Sequence, residues 1–291
     1  MSRAGRDVHV RRRAGLLLAA ALSLSLSACS VAPTAPPATA GLVTAGSTSV
    51  QGTTSTVPTG SSPVTAARLG AVTATSALGD SVPRGTGCGC TPYPQLMADD
   101  IARVAGHPVS ASNDAVAGIT SDGVLQQLAK DDSVTARLRN SQAVTLEVGA
   151  NDVAFSPSCG TDVACYEQRL PQLESNLDAI LTKVKELPAG HPIGLVVLDY
   201  WSVWLGGQYA HDQGPAYVEA ASTLTKRVNE IIRAAAASTP GTVYVDLRTA
   251  FRGPDDAWDE THLLAPDGDH PNAAGHQRIA EAAATAVAAA G

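Results

Sequence analysis

The 291-residue sequence has few aromatic and few charged residues, 4% and 16% of the chain, against 44% hydrophobic residues. Beyond the N-terminus it has no apolar run that suggests a membrane span, and it has no internal repeat. Its histidines and cysteines form no recognisable ligand set, so we predict neither a metal site nor an organic cofactor. This composition favours one alanine-rich globular domain, long enough to bury a core.

The N-terminus has the pattern of an export signal, because a cluster of arginines precedes an apolar run over 14–26. That run is too short to cross a bilayer comfortably. It ends in Leu26-Ser27-Ala28-Cys29, which resembles the bacterial lipobox, where the cysteine is lipid-modified and becomes the mature N-terminus. We therefore expect 1–29 to be a signal peptide with lipobox, and Cys29 to anchor the protein to the outside of the cell membrane. The alternative is an ordinary secretory signal, which would give a secreted protein.

The next segment, 30–67, is dominated by Ser, Thr, Ala, Pro, Gly and Val and has no aromatic residue. It reads as a disordered tether, because it cannot bury enough apolar surface to fold, and we place the folded domain at 68–291. Loss of the signal removes five arginines and Asp7, which changes the formal charge from −7 to −11. Such an acidic surface argues against nucleic acid as a partner. We expect a monomer.

Within the domain, short apolar segments alternate with segments of helical period. The predicted strands are 71–78, 108–112, 143–148, 193–200 and 242–246, and the predicted helices are 94–105, 121–128, 171–187, 216–237 and 273–289. This alternation predicts an α/β fold with three layers, α/β/α, around a central parallel sheet of about five strands. Ligands in such folds bind at the carboxyl ends of the strands.

The first predicted strand runs into Gly79-Asp80-Ser81, which puts a serine where a strand turns into the next segment. Such a position suits a nucleophile, but a serine hydroxyl needs a base, and preferably a carboxylate behind that base. By itself this tripeptide is more often an ordinary turn.

Two candidates for stabilising an oxyanion follow later strands. Asn151, in Gly149-Ala150-Asn151-Asp152, brings an amide donor to the same sheet edge. Gly118 lies after the second strand, where a backbone N–H can approach a ligand closely. The alternatives are an Asx-turn cap for Asn151 and a plain glycine loop for Gly118.

The candidate base is His270, in Asp267-Gly268-Asp269-His270. A carboxylate three residues earlier can fix the ring tautomer that leaves Nε2 free. A second Asp-x-x-His pair, Asp259 with His262, has the same spacing. We favour Asp267 and His270 because a proline, an asparagine and the start of a helix follow directly. The alternative is a solvated acidic loop.

Together, the four pieces resemble the SGNH (GDSL-type) hydrolase superfamily over about 73–289. The resemblance implies a flavodoxin-like α/β/α fold, with Ser81 as nucleophile, His270 as base and Asp267 orienting the base. It also implies an oxyanion site formed by the backbone N–H groups of Ser81 and Gly118 and the side chain of Asn151. One departure is Val82, where a leucine commonly follows the serine, and it bears on the substrate more than on the mechanism.

The resemblance further implies ester hydrolysis through an acyl-enzyme. No lid-like apolar insertion is evident, so we favour short-chain acyl or O-acetyl esters of small molecules, lipids or glycans. The alternatives are a lipase or lysophospholipase, a thioesterase, or a non-catalytic surface binding protein on the same fold. Trp201 and Trp204 follow the fourth strand and are expected either to line the substrate pocket or to cover the sheet.

Four cysteines remain beside Cys29, an even number in a chain predicted to be exported. They follow the serine motif and the asparagine motif, so disulfides there would brace two loops of the site. We prefer a bond between Cys159 and Cys165, which leaves Cys88 with Cys90. Crossed pairs between the two loops are the alternative.

Overall fold

The computed structural model describes residues 67–187 and 189–290. Cys29, the predicted signal peptide and nearly all of the predicted tether lie outside the described residues, so the boundaries 1–29 and 30–67 remain predictions. Within those two ranges, no helix is both long enough and apolar enough to cross a membrane.

Five parallel strands form one sheet. They are β1 Ala74–Gly79, β2 Ser110–Asn113, β3 Ala143–Glu147, β4 Gly194–Leu198 and β5 Thr242–Val245. Their order across the sheet is β2-β1-β3-β4-β5, which is the flavodoxin-like order of a doubly wound fold. The predicted α/β/α architecture is confirmed.

Ten helices flank or edge the sheet within the described residues. They are α1 Ser81–Arg84, α2 Tyr93–Ala105, α3 Ser121–Lys130, α4 Asp132–Arg139, α5 Val163–Glu167, α6 Leu170–Lys185, α7 Gly207–Gln213, α8 Pro215–Ser238, α9 Leu247–Arg252 and α10 Ala273–Ala289. Two short 3₁₀ helices, Ala150–Val153 and Glu260–Leu263, lie in the loops at the site.

The central strands β3 and β4 are buried on both faces, and successive side chains along a strand point to opposite faces. In β4, Leu195 and Val197 pack with α3, α4, α6 and α8 on one face. The intervening Val196 and Leu198 pack with α2, α9 and α10 on the other face. All five residues of β4 are buried. Continuous apolar strands therefore reflect two covered faces.

The last helix, α10, fixes the loop that carries the candidate base. Asn272 caps its N-terminus, since the side-chain oxygen accepts from the backbone N–H groups of Ala274 at 2.8 Å and Gly275 at 3.1 Å. The buried face of α10, which includes Ile279 and Ala283, packs against α2. The loop before the helix is thereby held at the carboxyl edge of the sheet.

Candidate active site

Ser81 begins α1 directly after the carboxyl end of β1. The turn depends on Gly79, whose φ is +139° and where a Cβ would overlap the carbonyl oxygen of Glu147. Asp80 caps the turn, and its Oδ1 accepts from the backbone N–H of Val82 at 3.1 Å. The close approach of the Gly79 backbone to Glu147 and the Asp80 cap together place Ser81 at the carboxyl edge of the sheet.

Asp80 also joins the serine turn to the loop after β4. The hydroxyl of Tyr200 donates to Asp80 Oδ2 at 2.6 Å, and each of the two residues is only 1% exposed. Burial raises the pKa of Asp80 to about 6, although the bonds from Tyr200 and Val82 oppose that rise. The contact between Tyr200 and Asp80 has no signal in the sequence, whereas an aspartate just before a helical turn is a signal for the cap.

A second buried acid, Glu147, ends β3 beside this turn and is fully buried. Burial, and then the nearby charge of Asp80, raise the pKa of Glu147 well above its usual range. Two neighbouring buried carboxyl groups resist carrying charge together, so each of them opposes ionisation of the other.

His270 is held by the carboxylate of Asp267. The ring Nδ1 lies 2.8 Å from Asp267 Oδ2, while Asp267 Oδ1 accepts from the backbone N–H groups of Asp269 and His270, both at 3.0 Å. Partial burial alone would raise the pKa of Asp267, but the hydrogen bonds from His270 outweigh it and lower the pKa. This pairing places the Nδ1 proton toward Asp267 and leaves Nε2 as the proton acceptor.

The loop that carries this pair is closed by backbone hydrogen bonds. Ala265 N–H donates to the carbonyl of His270 at 2.7 Å, and Gly206 N–H donates to the carbonyl of Gly268 at 2.6 Å. Gly87 packs against the pair from the other side: its φ is +73°, and a Cβ there would lie 2.6 Å from Asp267 Oδ2 and 3.3 Å from His270 Nδ1. The sequence analysis did not single out Gly87.

The alternative pair has a different geometry. His262 Nδ1 lies 3.0 Å from the backbone carbonyl oxygen of Asp259, not from its carboxylate. The Asp259 carboxylate instead caps the 3₁₀ helix, accepting from the backbone N–H of Thr261 at 2.9 Å. Asp259 therefore serves local capping, whereas Asp267 and His270 have the arrangement that base catalysis requires.

The oxyanion candidates lie on loops tied to one another. Asn151 donates one amide hydrogen to the carbonyl of Ile119 at 3.0 Å, which leaves its second hydrogen available. Val116 N–H donates to the carbonyl of Gly79 at 2.9 Å, so the loop containing Gly118 is anchored beside the serine turn. Among residues 67–187 and 189–290, no acceptor takes the backbone N–H of Ser81 or Gly118.

Ser81 and Asn151 line one cavity of about 160 Å³, together with Asp269 and aromatic residues that include Phe155. Gly118 and His270 lie outside this lining, and no hydrogen bond joins Ser81 to His270 in the described part of the chain. The structure thus brings nucleophile and amide candidates into one cavity, with His270 next to the lining residue Asp269.

Trp201 and Trp204 take both of their expected positions. Each lines the cavity, yet they are only 1% and 3% exposed. Trp201 stacks on Phe251 with ring centroids 4.3 Å apart, and the indole N–H of Trp204 donates to the carbonyl of Val153 at 2.8 Å. They form a rigid wall that also belongs to the core.

The cysteine sulfurs lie next to each other within each loop, Cys88 beside Cys90 and Cys159 beside Cys165. The Cα separations, 5.1 and 5.8 Å, suit disulfides. The pairing remains a prediction for peptide mapping.

Cys88 and Cys90 also lie near the ring of His276, close enough for a shared ion. However, His276 Nδ1 accepts the backbone N–H of Tyr93 at 3.2 Å, and burial lowers the pKa of His276 to about 4. A neutral ring with that bond carries its proton on Nε2, so this nitrogen has no lone pair for a metal. The group does not fit a metal site.

The family model described as GDSL-like Lipase/Acylhydrolase family matches residues 77–278. No curated protein matches the sequence. An extracellular lipase of Streptomyces rimosus has a similar structure, with a TM-score of 0.55, 22% identity, and coverage of 75% of this chain and 100% of that one.

Two further structures are similar. A variant of an acetyl-xylooligosaccharide esterase of Geobacillus stearothermophilus has a TM-score of 0.52 and 20% identity, over 72% of this chain and 91% of that one. Phospholipase A1 of Streptomyces albidoflavus has a TM-score of 0.50 and 21% identity, over 74% and 98%. At these identities the likeness shows a shared fold.

Proposed function

Because this chain belongs to the GDSL-like lipase/acylhydrolase family, we propose that it hydrolyses carboxylic esters through a Ser-His-Asp acyl-enzyme mechanism. The observation that carries the proposal is the ring of His270, which Asp267 holds at 2.8 Å beside the cavity that Ser81 and Asn151 line. A nucleophile, an oriented base and an amide donor at one sheet edge are the parts that acyl transfer needs.

In the proposed reaction, Ser81 Oγ attacks the ester carbonyl while His270 Nε2 takes the hydroxyl proton. The ring then gives this proton to the departing alcohol, and water releases the acyl group from Ser81 by the same route in reverse. Asp267 keeps the Nδ1 proton in place and stabilises the charged ring. The backbone N–H groups of Ser81 and Gly118 and the side chain of Asn151 stabilise the negative oxygen.

The size of the cavity supports short acyl groups, including O-acetyl groups. Its volume is about 160 Å³. It is below the roughly 300–1,000 Å³ of sites that enclose drug-sized ligands. We expect p-nitrophenyl esters to be cleaved fastest with two- to four-carbon acyl chains; a maximum at long chains would contradict this expectation.

Labelling with a fluorophosphonate probe tests the catalytic role of Ser81. We expect the wild-type protein to be labelled and Ser81→Ala to be folded but unlabelled, because the probe reacts with an activated serine. Ser202→Ala is the matched control, since Ser202 lines the same cavity, and it should keep its label. Wild-type protein that stays unlabelled, and that cleaves no ester, would favour a non-catalytic binding protein.

We further propose that the protein is exported, lipidated at Cys29 and monomeric. The arginine-rich start and the Leu26-Ser27-Ala28-Cys29 sequence support the first two statements. Metabolic labelling with a fatty acid, with Cys29→Ala as control, tests lipidation at Cys29. Release of unlabelled wild-type protein to the medium would refute the lipid anchor.

A further inference from the structure

We infer that Asp269 makes the cavity select esters by the charge of their alcohol portion, favouring cationic over neutral and neutral over anionic alcohols. The inference rests on the proposed esterase function and adds the class of substrate. It starts from the lining of the cavity, which contains the carboxyl groups of Asp80 and Asp269 but no lysine, arginine or histidine.

Only one of these two carboxyl groups is open to a ligand. Asp80 is 1% exposed, and its oxygens accept from Val82 and Tyr200. The side chain of Asp269 is 45% exposed, and no described residue donates a hydrogen bond to its carboxylate. The basic side chain that lies beside this carboxylate is His270, whose Nε2 is 3.5 Å from Asp269 Oδ2.

The distance between His270 Nε2 and Asp269 Oδ2 indicates which part of the substrate lies near the negative charge of Asp269. Nε2 of His270 must approach the oxygen of the departing alcohol to return its proton. Because Asp269 lies beside Nε2, its carboxylate faces the alcohol portion of the ester and not the end of the acyl chain. A positive group on the alcohol gains from this contact, whereas a phosphate or sulfonate is repelled.

The expected effect is modest because the carboxylate is partly exposed to solvent. A full interaction in a dry site would change kcat/KM by several orders of magnitude, but water and salt weaken it. We expect a factor of about ten between a cationic ester and its neutral analogue, and a further factor of about ten against an anionic one, at low ionic strength.

A matched series of acetyl esters tests this inference at pH 8, chosen because the carboxyl group of Asp269 must be ionised and burial raises its pKa. Acetylcholine supplies the cationic alcohol, 3,3-dimethylbutyl acetate is its neutral analogue of nearly equal shape, and 2-acetoxyethanesulfonate supplies the anionic alcohol. The measurement is the ratio of kcat/KM values within each variant. In Asp269→Asn, the kcat/KM values of the cationic and the neutral ester should agree within about twofold, because the two esters have nearly the same shape. Raising the salt concentration should bring the wild-type ratios toward those of Asp269→Asn.

Asp178→Asn is the matched control, because Asp178 is exposed on α6 and does not line the cavity. It changes the net charge by the same amount and should keep the wild-type ratios. Equal ratios for wild type and Asp269→Asn, or an equal shift in Asp178→Asn, would overturn the inference. Absence of both ester cleavage and fluorophosphonate labelling would instead refute the proposed function.

Discussion

Replacing Asp267 by asparagine tests the proposed triad through the tautomer of one histidine. The amide keeps a carbonyl oxygen that can accept the backbone N–H groups of Asp269 and His270, now bonded at 3.0 Å. Its NH₂ group, however, then faces His270 Nδ1, which lies 2.8 Å from the carboxylate in the wild-type protein. The ring must accept there, so its proton moves to Nε2 and the base is lost.

The expected loss follows from this change of tautomer. In serine hydrolases with such a triad, replacing the aspartate by asparagine lowers kcat by about 10⁴, which corresponds to about 5 kcal/mol of transition-state stabilisation. We expect a loss of that order for Asp267→Asn and a larger loss for His270→Ala. Turnover of a neutral acetyl ester and circular dichroism of the same samples measure activity and fold.

The second Asp-x-x-His pair supplies controls of the same type. Asp259→Asn and His262→Ala change identical residue types at identical spacing, but Asp259 holds a 3₁₀ helix and not a ring. Both variants should stay within about tenfold of wild type. An inactive His262→Ala beside an active His270→Ala would make His262 the base, with Asp259 as its partner.

Three further predictions concern the serine turn and its surroundings. Asn151→Ala should keep fluorophosphonate labelling but slow turnover by roughly 100- to 1,000-fold, the usual effect of losing one oxyanion donor; unchanged turnover would remove Asn151 from the site. Gly79→Ala should destabilise the domain by about 3 kcal/mol or more in urea unfolding, because a side chain at φ +139° overlaps the Glu147 carbonyl; a loss below about 1 kcal/mol would show that the backbone adapts. Folded Asp80 keeps its proton up to about pH 6, against 3.8 without burial, so the stability of wild type relative to Asp80→Asn should fall by about 2 kcal/mol as the pH rises from 4 to 6; a constant difference would contradict the raised pKa.

Much of the fold could be predicted because its long elements have strong periodic patterns. The strands at 143–148 and 242–246 and the helix at 273–289 were placed within one residue of their ends. The short helices α4, α7 and α9 were missed, since six to eight residues complete only about two turns and give little periodic signal. Asp131 is both the C-cap of α3 and the N-cap of α4, so no loop separates those two helices.

The site was predictable where its residues stand in short motifs and not where they meet across the fold. Ser81 and Asn151 stand in short motifs at predicted strand ends, and the residues that follow His270 favour its pair with Asp267 over Asp259 and His262; their catalytic roles stay predictions. The bond from Tyr200 to Asp80, between residues far apart in sequence, leaves no periodic trace. The packing of Gly87 against Asp267 likewise depends on tertiary structure alone. Sequence patterns indicate which residues are neighbours within one helix or strand. The contacts of Tyr200 with Asp80 and of Gly87 with Asp267 join separate parts of the fold.

The packing of α10 against α2 has a consequence for biosynthesis. Ser81 lies near the start of the described domain, and His270 lies immediately before its last helix. On the proposed mechanism, a chain emerging from the ribosome therefore carries its nucleophile long before its base. Until α10 docks on α2, the loop of His270 lacks its anchor at the N-terminus of that helix. On the proposed mechanism, hydrolytic activity therefore appears only after α10 has been synthesised and has docked on α2, so a shorter nascent chain cannot attack esters.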